Sequence, residues 1–246
     1  MSKADEYRQT LKGSIDWIPF LRKESGLPGP RGNLELAYVV AEEGSKKQFE
    51  QLLLFQAEEN TPEVFLVFCG ILGLGRLAAK EPELFKRLCA YASDPRWRIR
   101  EAVATGLQLV GEQDMDLLLQ EMKKWSEGNW YEKRAAAAAL AEPRLLKQPK
   151  HAKKVLQLLN EITKSMEKAD NPKDESFKVL RQGMGYCWSV VVAALPDSGK
   201  PMMENWLDST NKDILWIMKE NLKKNRLVKM DAKWVEACHS RFEQVA

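Results

Sequence analysis

Trp97-Arg98-Ile99-Arg100-Glu101-Ala102-Val103-Ala104-Thr105-Gly106-Leu107 lies over Trp130-Tyr131-Glu132-Lys133-Arg134-Ala135-Ala136-Ala137-Ala138-Ala139-Leu140 when the chain is slid against itself by 33 positions. Trp meets Trp, Ala meets Ala twice, and Leu meets Leu. Asp213-Ile214-Leu215-Trp216-Ile217-Met218-Lys219-Glu220-Asn221-Leu222 lies in the same way over Asp94 to Val103, with Asp, Trp and Glu identical and Lys219 opposite Arg100. Fainter copies start at Glu63-Val64-Phe65 and at Lys178-Val179-Leu180-Arg181, followed by small residues at Gly70 and at Gly183 and Gly185. Self-similarity at such a period is the mark of a repeated supersecondary unit. The unit has a physical logic: Asp94 and Asp213, three residues before their tryptophans, are placed to cap a helix, the aromatic anchors its first turn, and small residues let a second helix approach.

Working outward, nearly every stretch has helical period and none alternates long enough to argue a sheet. Residues 3–24 carry Tyr7, Leu11, Ile15, Ile18 and Leu21 at spacings of three or four, an amphipathic helix that Pro19 interrupts or ends in part. Gly26-Leu27-Pro28-Gly29-Pro30-Arg31-Gly32-Asn33 cannot continue it, and Asn33 is placed to cap a helix over 34–43 that ends near Gly44. A further helix is expected over 45–58. Helices and short breaks then alternate, with turns at Pro62, Pro82, Pro95, 111–114, 127–129, Pro143 and Pro149. The most polar connection is 168–174, Pro196 to Pro201 reads as a sharp break, and Asn211 caps the last long helix. Connections of a few residues force neighbouring helices to run antiparallel, as hairpins.

The pattern D-P-x-W-x-[IM]-[RK]-E-A, followed by small and apolar residues, resembles the second helix of HEAT-like repeats over at least residues 60–226. The chain is thus similar to the bacterial HEAT-repeat superfamily that includes the alkylpurine DNA glycosylases. The resemblance implies an all-α, right-handed superhelix (solenoid) of HEAT-like helical hairpins, one domain over 1–246 with 1–32 as an N-terminal capping helix and turn. A single hairpin cannot bury its own apolar face, and stacked copies share one core.

Composition narrows the function classes. The chain has 246 residues, 44% hydrophobic and 30% charged, with 38 Lys and Arg against 35 Asp and Glu, enough for a core without staples and too balanced for a polyelectrolyte. The longest uncharged run, Val64 to Gly75, is too short to cross a bilayer, and no apolar stretch follows the charged start, so a cytoplasmic protein with no membrane partner is expected. Cys69, Cys89, Cys187 and Cys238 are irregularly spaced and His151 and His239 are the only histidines, so reduced thiols and no metal or cofactor are expected. Gly73-Leu74-Gly75 lacks the strand of a nucleotide loop and reads as close helix packing, and Ser198-Gly199-Lys200 lacks the leading glycine of a phosphate loop.

Pairing of aromatic with basic residues is the constellation with functional promise. Trp97 with Arg98 and Arg100, Trp130 with Lys133 and Arg134, Arg181, and Trp216 with Lys219 recur at equivalent repeat positions and form the candidate concave binding face. Either they track a phosphate backbone, such as that of duplex DNA, or the tryptophans pack between hairpins while the cations pair with acids of the adjacent repeat. The basic runs from Arg144 to Lys154 and from Lys219 to Lys229 fit both. The glycosylase resemblance implies a carboxylate beside an aromatic cleft, a W-D pair. Here Asp16-Trp17 stands in reverse order and Asp208 follows Trp206 by two, so no catalytic residue is assigned. The expected function is a non-enzymatic module that engages a protein or nucleic acid on its concave face, with a DNA-binding or alkylation-repair protein as the alternative.

Overall fold

The computed structural model describes residues 2–244, and these form α-helices with no strand among them. The first compact unit, Met1–Asp114, contains α1 (Lys3–Gly13), α2 (Ile18–Glu24), α3 (Leu34–Glu43), α4 (Lys46–Leu53), α5 (Pro62–Ala78), α6 (Leu84–Ala92) and α7 (Trp97–Gln113). The second, Met115–Ala246, contains α8 (Met115–Trp125), α9 (Trp130–Leu140), a 3-10 turn at Pro143–Leu145, α10 (Pro149–Met166), α11 (Glu175–Ala194), α12 (Pro196–Asn205), α13 (Lys212–Leu222) and α14 (Asn225–Gln244). No described helix is long and apolar enough to cross a membrane.

The first unit is organised around α5, whose residues from Val64 to Gly75 are all buried. A helix apolar on every side must be enclosed on every side. Helices α2, α3, α4, α6 and α7 do this. The glycines explain how closely they come. A Cβ on Gly75 would overlap the backbone of Gly106, and one on Gly106 would stand 3.3 Å from Gly75 Cα and from the Ile71 carbonyl oxygen, so α5 and α7 touch backbone to backbone. Gly73 receives the Phe49 ring, and Gly70 receives Leu53 and the Phe49 carbonyl. The glycine run is therefore packing, as its sequence context implied.

Alternate helices run parallel. Asn60, just before α5, meets Arg98 at the start of α7, and the Gln113 side-chain amide at the end of α7 donates to the Arg76 carbonyl near the end of α5. In the second unit, Arg181, Gly185 and Ser189 of α11 meet Asp213, Trp216 and Asn221 of α13 in the same order. Buried Asn221 ties that pair: its Nδ2 donates to the Met184 and Ile217 carbonyls, and its Oδ1 accepts from the Ser189 amide. Helix α11 plays the part of α5 in this unit, packed by α9, α10, α12, α13 and α14.

Several local expectations change. The helix over 3–24 is two helices, because residues 14–17 leave the helical path. Ile15 is fully exposed, and Trp17 takes the inward place, donating its indole N–H to the Leu11 carbonyl. Pro19 stands at the start of α2, where no amide donor is required. Helix α4 stops at Leu53 and not at 58; the following chain serves α7, with Ala57 accepting from the Arg96 guanidinium and Glu59 from the Trp97 amide. Residues 196–201 are no break: Pro196 opens α12, Gly199 fits against Val192, and exposed Pro201 sits inside the helix at the loss of one backbone bond. The caps at Asn33 and Asn211 are present, the first accepting from the Leu36 amide and the second from those of Asp213 and Ile214.

The Gly75–Gly106 crossing yields a test. Gly75→Ala pushes a methyl into the α7 backbone and should cost about 1–3 kcal/mol or more of unfolding free energy, read by urea denaturation. Gly13→Ala, whose Cβ meets nothing, should cost no stability.

Candidate functional site

A pocket of about 300 Å³ opens in the first unit where the 26–33 loop meets the N-terminal halves of α5 and α7. Leu27, Pro30 and Gly32 form its loop wall, Val64, Phe65 and Phe68 its α5 wall, and Trp97, Arg98, Glu101 and Thr105 its α7 wall. Leu34 and Trp97, at 51% and 46% exposure, carry the lining out to solvent. Large apolar side chains left in water beside an apolar cleft are the ordinary mark of a binding surface.

The loop is held from several sides. Gly26 has φ of 75°, a left-handed conformation that a side chain would strain. The Asn33 amide donates to the Ser25 carbonyl and closes the loop, while Asn33 Nδ2 donates to the Tyr7 hydroxyl and the Glu24 carbonyl. Across the pocket, Arg98 Nη2 donates to the Gly29 carbonyl and to Asn60 Oδ1, each at 2.9 Å. Asn60 Oδ1 also accepts from the Gly29 amide. Glu59 completes the cluster: its Oε2 accepts from the Trp97 amide at 2.8 Å, and its Oε1 lies 3.6 Å from Arg98 Nε. The Arg98 guanidinium sits 4.5 Å from the Trp97 ring centre, over its face. A residue 8% exposed thus fixes loop, helix start and rim tryptophan together.

The nine residues expected on a binding face have varied duties. In the first unit, Trp97 stands at the pocket rim, Arg98 holds the loop, and Arg100 is buried with its Nη1 donating to the Asp94 and Pro95 carbonyls. In the second, Trp130 packs edge-on against Phe177, and Lys133 is buried with Nζ donating to the Gly128 carbonyl; burial pulls its pKa down. Arg134 lies against Gly183. Arg181 pairs with Asp213 at 2.7 Å and stacks 3.8 Å from the Trp216 ring centre, whereas exposed Lys219 lies over Phe242. Trp97 and Trp130 open their helices but Trp216 comes a turn into α13, because Asn211 starts that helix early. The third copy is therefore shifted by about one turn. The capping role expected for the aspartates also changes: Asp94 binds the Arg96 amide and guanidinium in the turn, and Asp213, inside α13, pairs with Arg181.

The basic runs are balanced only in part, and mostly by acids that lie outside them. Lys150 and Lys154 both reach Asp116, which draws its carboxyl down to about 2, with the Lys154 bond the larger cause; Arg144 pairs with Glu142, and Lys223 with Glu220. Cys69, Cys187 and Cys238 are buried and Cys89 half-buried, and burial pushes the Cys69 and Cys238 thiols up, the latter to about 11. Among the described residues no three His, Cys, Asp or Glu side chains gather in a metal-binding group.

Leu27, Pro30, Gly32, Phe65 and Phe68 were not expected at a site. The dense glycine and proline of 26–33 was the available signal, since glycine lets the backbone turn at Gly26 with positive φ while Pro28 and Pro30 restrict the residues between. No protein-family model matches this chain, and no curated protein matches it in sequence.

Arg98→Ala should lower unfolding free energy by about 1–3 kcal/mol, since it removes the bonds to the Gly29 carbonyl and Asn60 and leaves half-buried Glu59 without its cation. Arg98→Lys, with one point donor in place of a fork, should recover only part of that loss in the same denaturation assay.

Proposed function

We propose that the chain is a non-enzymatic helical-repeat binding module of the HEAT-like class, a right-handed superhelix of stacked hairpins, which engages a protein partner. The parallel course of alternate helices in each unit supports the repeat reading, because stacked hairpins place their equivalent helices side by side and parallel. The observation that carries the functional reading is the apolar pocket with Leu34 and Trp97 exposed at its mouth, built on a loop tied down from three sides. Preorganised, apolar and rimmed by an aromatic, it has the make-up of an interface hot spot.

The nucleic-acid alternative draws less support from the same residues. A phosphate-tracking face needs cations with donors to spare. Arg98, Arg100 and Lys133 donate to backbone carbonyls beside them, and Arg181 is neutralised by Asp213. Lys219 remains exposed.

A random peptide library displayed on phage and selected on the purified protein tests the proposal. Enriched peptides should bind in titration, and Trp97→Ala, which removes the aromatic rim of the pocket, should weaken them about tenfold, while Lys219→Ala leaves them unchanged. Peptides indifferent to Trp97→Ala, or salt-dependent duplex binding lost with Lys219→Ala and no peptide binding, would overturn it.

A further inference from the structure

We infer that the pocket of the first unit accepts an uncharged aromatic side chain, Trp or Phe, projecting from an extended peptide; this rests on the protein-binding reading above. Four features of the pocket specify the occupant.

The first is ring geometry. Phe65 and Phe68 lie nearly parallel, 9° apart with centroids 6.5 Å apart, and Trp97 stands at the mouth. Three rings around one cavity offer an incoming ring the offset and edge-to-face contacts that aliphatic side chains cannot make. The second is size. About 300 Å³ stands at the lower bound of ligand clefts, suited to one bulky side chain and its attachment.

Charge is the third. Arg31 and Arg98 in the lining are balanced by Glu101 in the lining and by Glu59 behind Arg98. The polar groups are also engaged: the Thr105 hydroxyl donates to the Glu101 carbonyl, and Arg98 Nη2 donates to Gly29 and Asn60. A charged side chain entering here would lose its water and gain no net counter-charge, a loss an uncharged ring avoids. The fourth is continuity. Exposed Leu34 and Trp97 extend the apolar surface beyond the cavity, which a chain running past its anchor covers and a free small molecule would not.

Gly32 supplies a plug. A Cβ there would meet Phe65 Cδ2 at 3.5 Å, ordinary van der Waals contact, so a side chain can start toward the Phe65 wall without overlap, and Gly32→Leu is the variant expected to occupy the cavity. The probe is N-acetyl-tryptophanamide, titrated into the full-length protein to about 10 mM, a range that captures single-residue affinities, and followed through backbone amide NMR shifts. Saturable shifts should appear at Gly32, Phe65 and Thr105. N-acetyl-alaninamide and N-acetyl-aspartamide should bind at least about tenfold more weakly, and Gly32→Leu should abolish the shifts while keeping a cooperative thermal transition. Should Gly32→Leu fail to fold, Thr105→Phe fills the same cavity from the α7 side. No saturable shift at these amides, equal binding of the aspartyl probe, or shifts that survive both plugs would overturn the inference. Selected peptides that depend on Trp97 yet contain no aromatic residue would also overturn it while leaving the binding module standing; no selected peptide at all would remove the module itself.

Discussion

The first unit depends on the backbone contact of α5 with α7 at Gly75 and Gly106. Helices with ordinary side chains pack with their axes about 8–10 Å apart, and only glycine on both sides permits the approach seen here. Because α5 is buried on every side, that approach fixes where α7 begins as well as where it crosses. With α5 fixed, Phe49 closes over Gly73 and α4 is fixed in turn. The start of α7 is then held beside the 26–33 loop by Arg98.

The pocket is a consequence of this arrangement. The N-terminal halves of α5 and α7, away from their glycine contact, line the opening together with the loop, which does not fill it. Arg98 keeps it open by holding the loop at Gly29, and Glu59 and Asn60, in the segment where α4 stops early, receive α7. Shortening α4 thus serves the site, since a helix continued to 58 would carry Ala57 away from Arg96 and Glu59 away from Trp97.

Much of the helical order was legible in sequence because it rests on local chemistry. Asn33 and Gly44 bound α3 where capping rules place them, and the prolines at 62, 143 and 149 open helices or turns. The glycines of α5 were readable as packing for want of a strand before them. Less legible was whatever depends on what lies across from a residue. Arg98 and Arg100 have the sequence of a cationic face, yet carbonyls of the loop and turn beside them, at Gly29, Asp94 and Pro95, accept their guanidinium donors instead. Trp216 matches Trp97 letter for letter, but Asn211 begins its helix a turn earlier. Pro201 looked like a breaker, yet α12 is exposed there and tolerates one missing bond. The pocket itself joins three segments distant in sequence, so no local pattern announces it.

The central claim is that the pocket is built before any partner arrives. Native-state amide hydrogen exchange of the free protein tests this most directly, at the Asn33 amide that closes the loop onto Ser25 and the Trp97 amide held by Glu59. Both should exchange well below the rate of an unstructured amide, though faster than the α5 amides, because each is hydrogen-bonded in a preformed site that can open without the core around α5. Exchange at the rate of an unprotected loop, with α5 still protected, would contradict a preformed site.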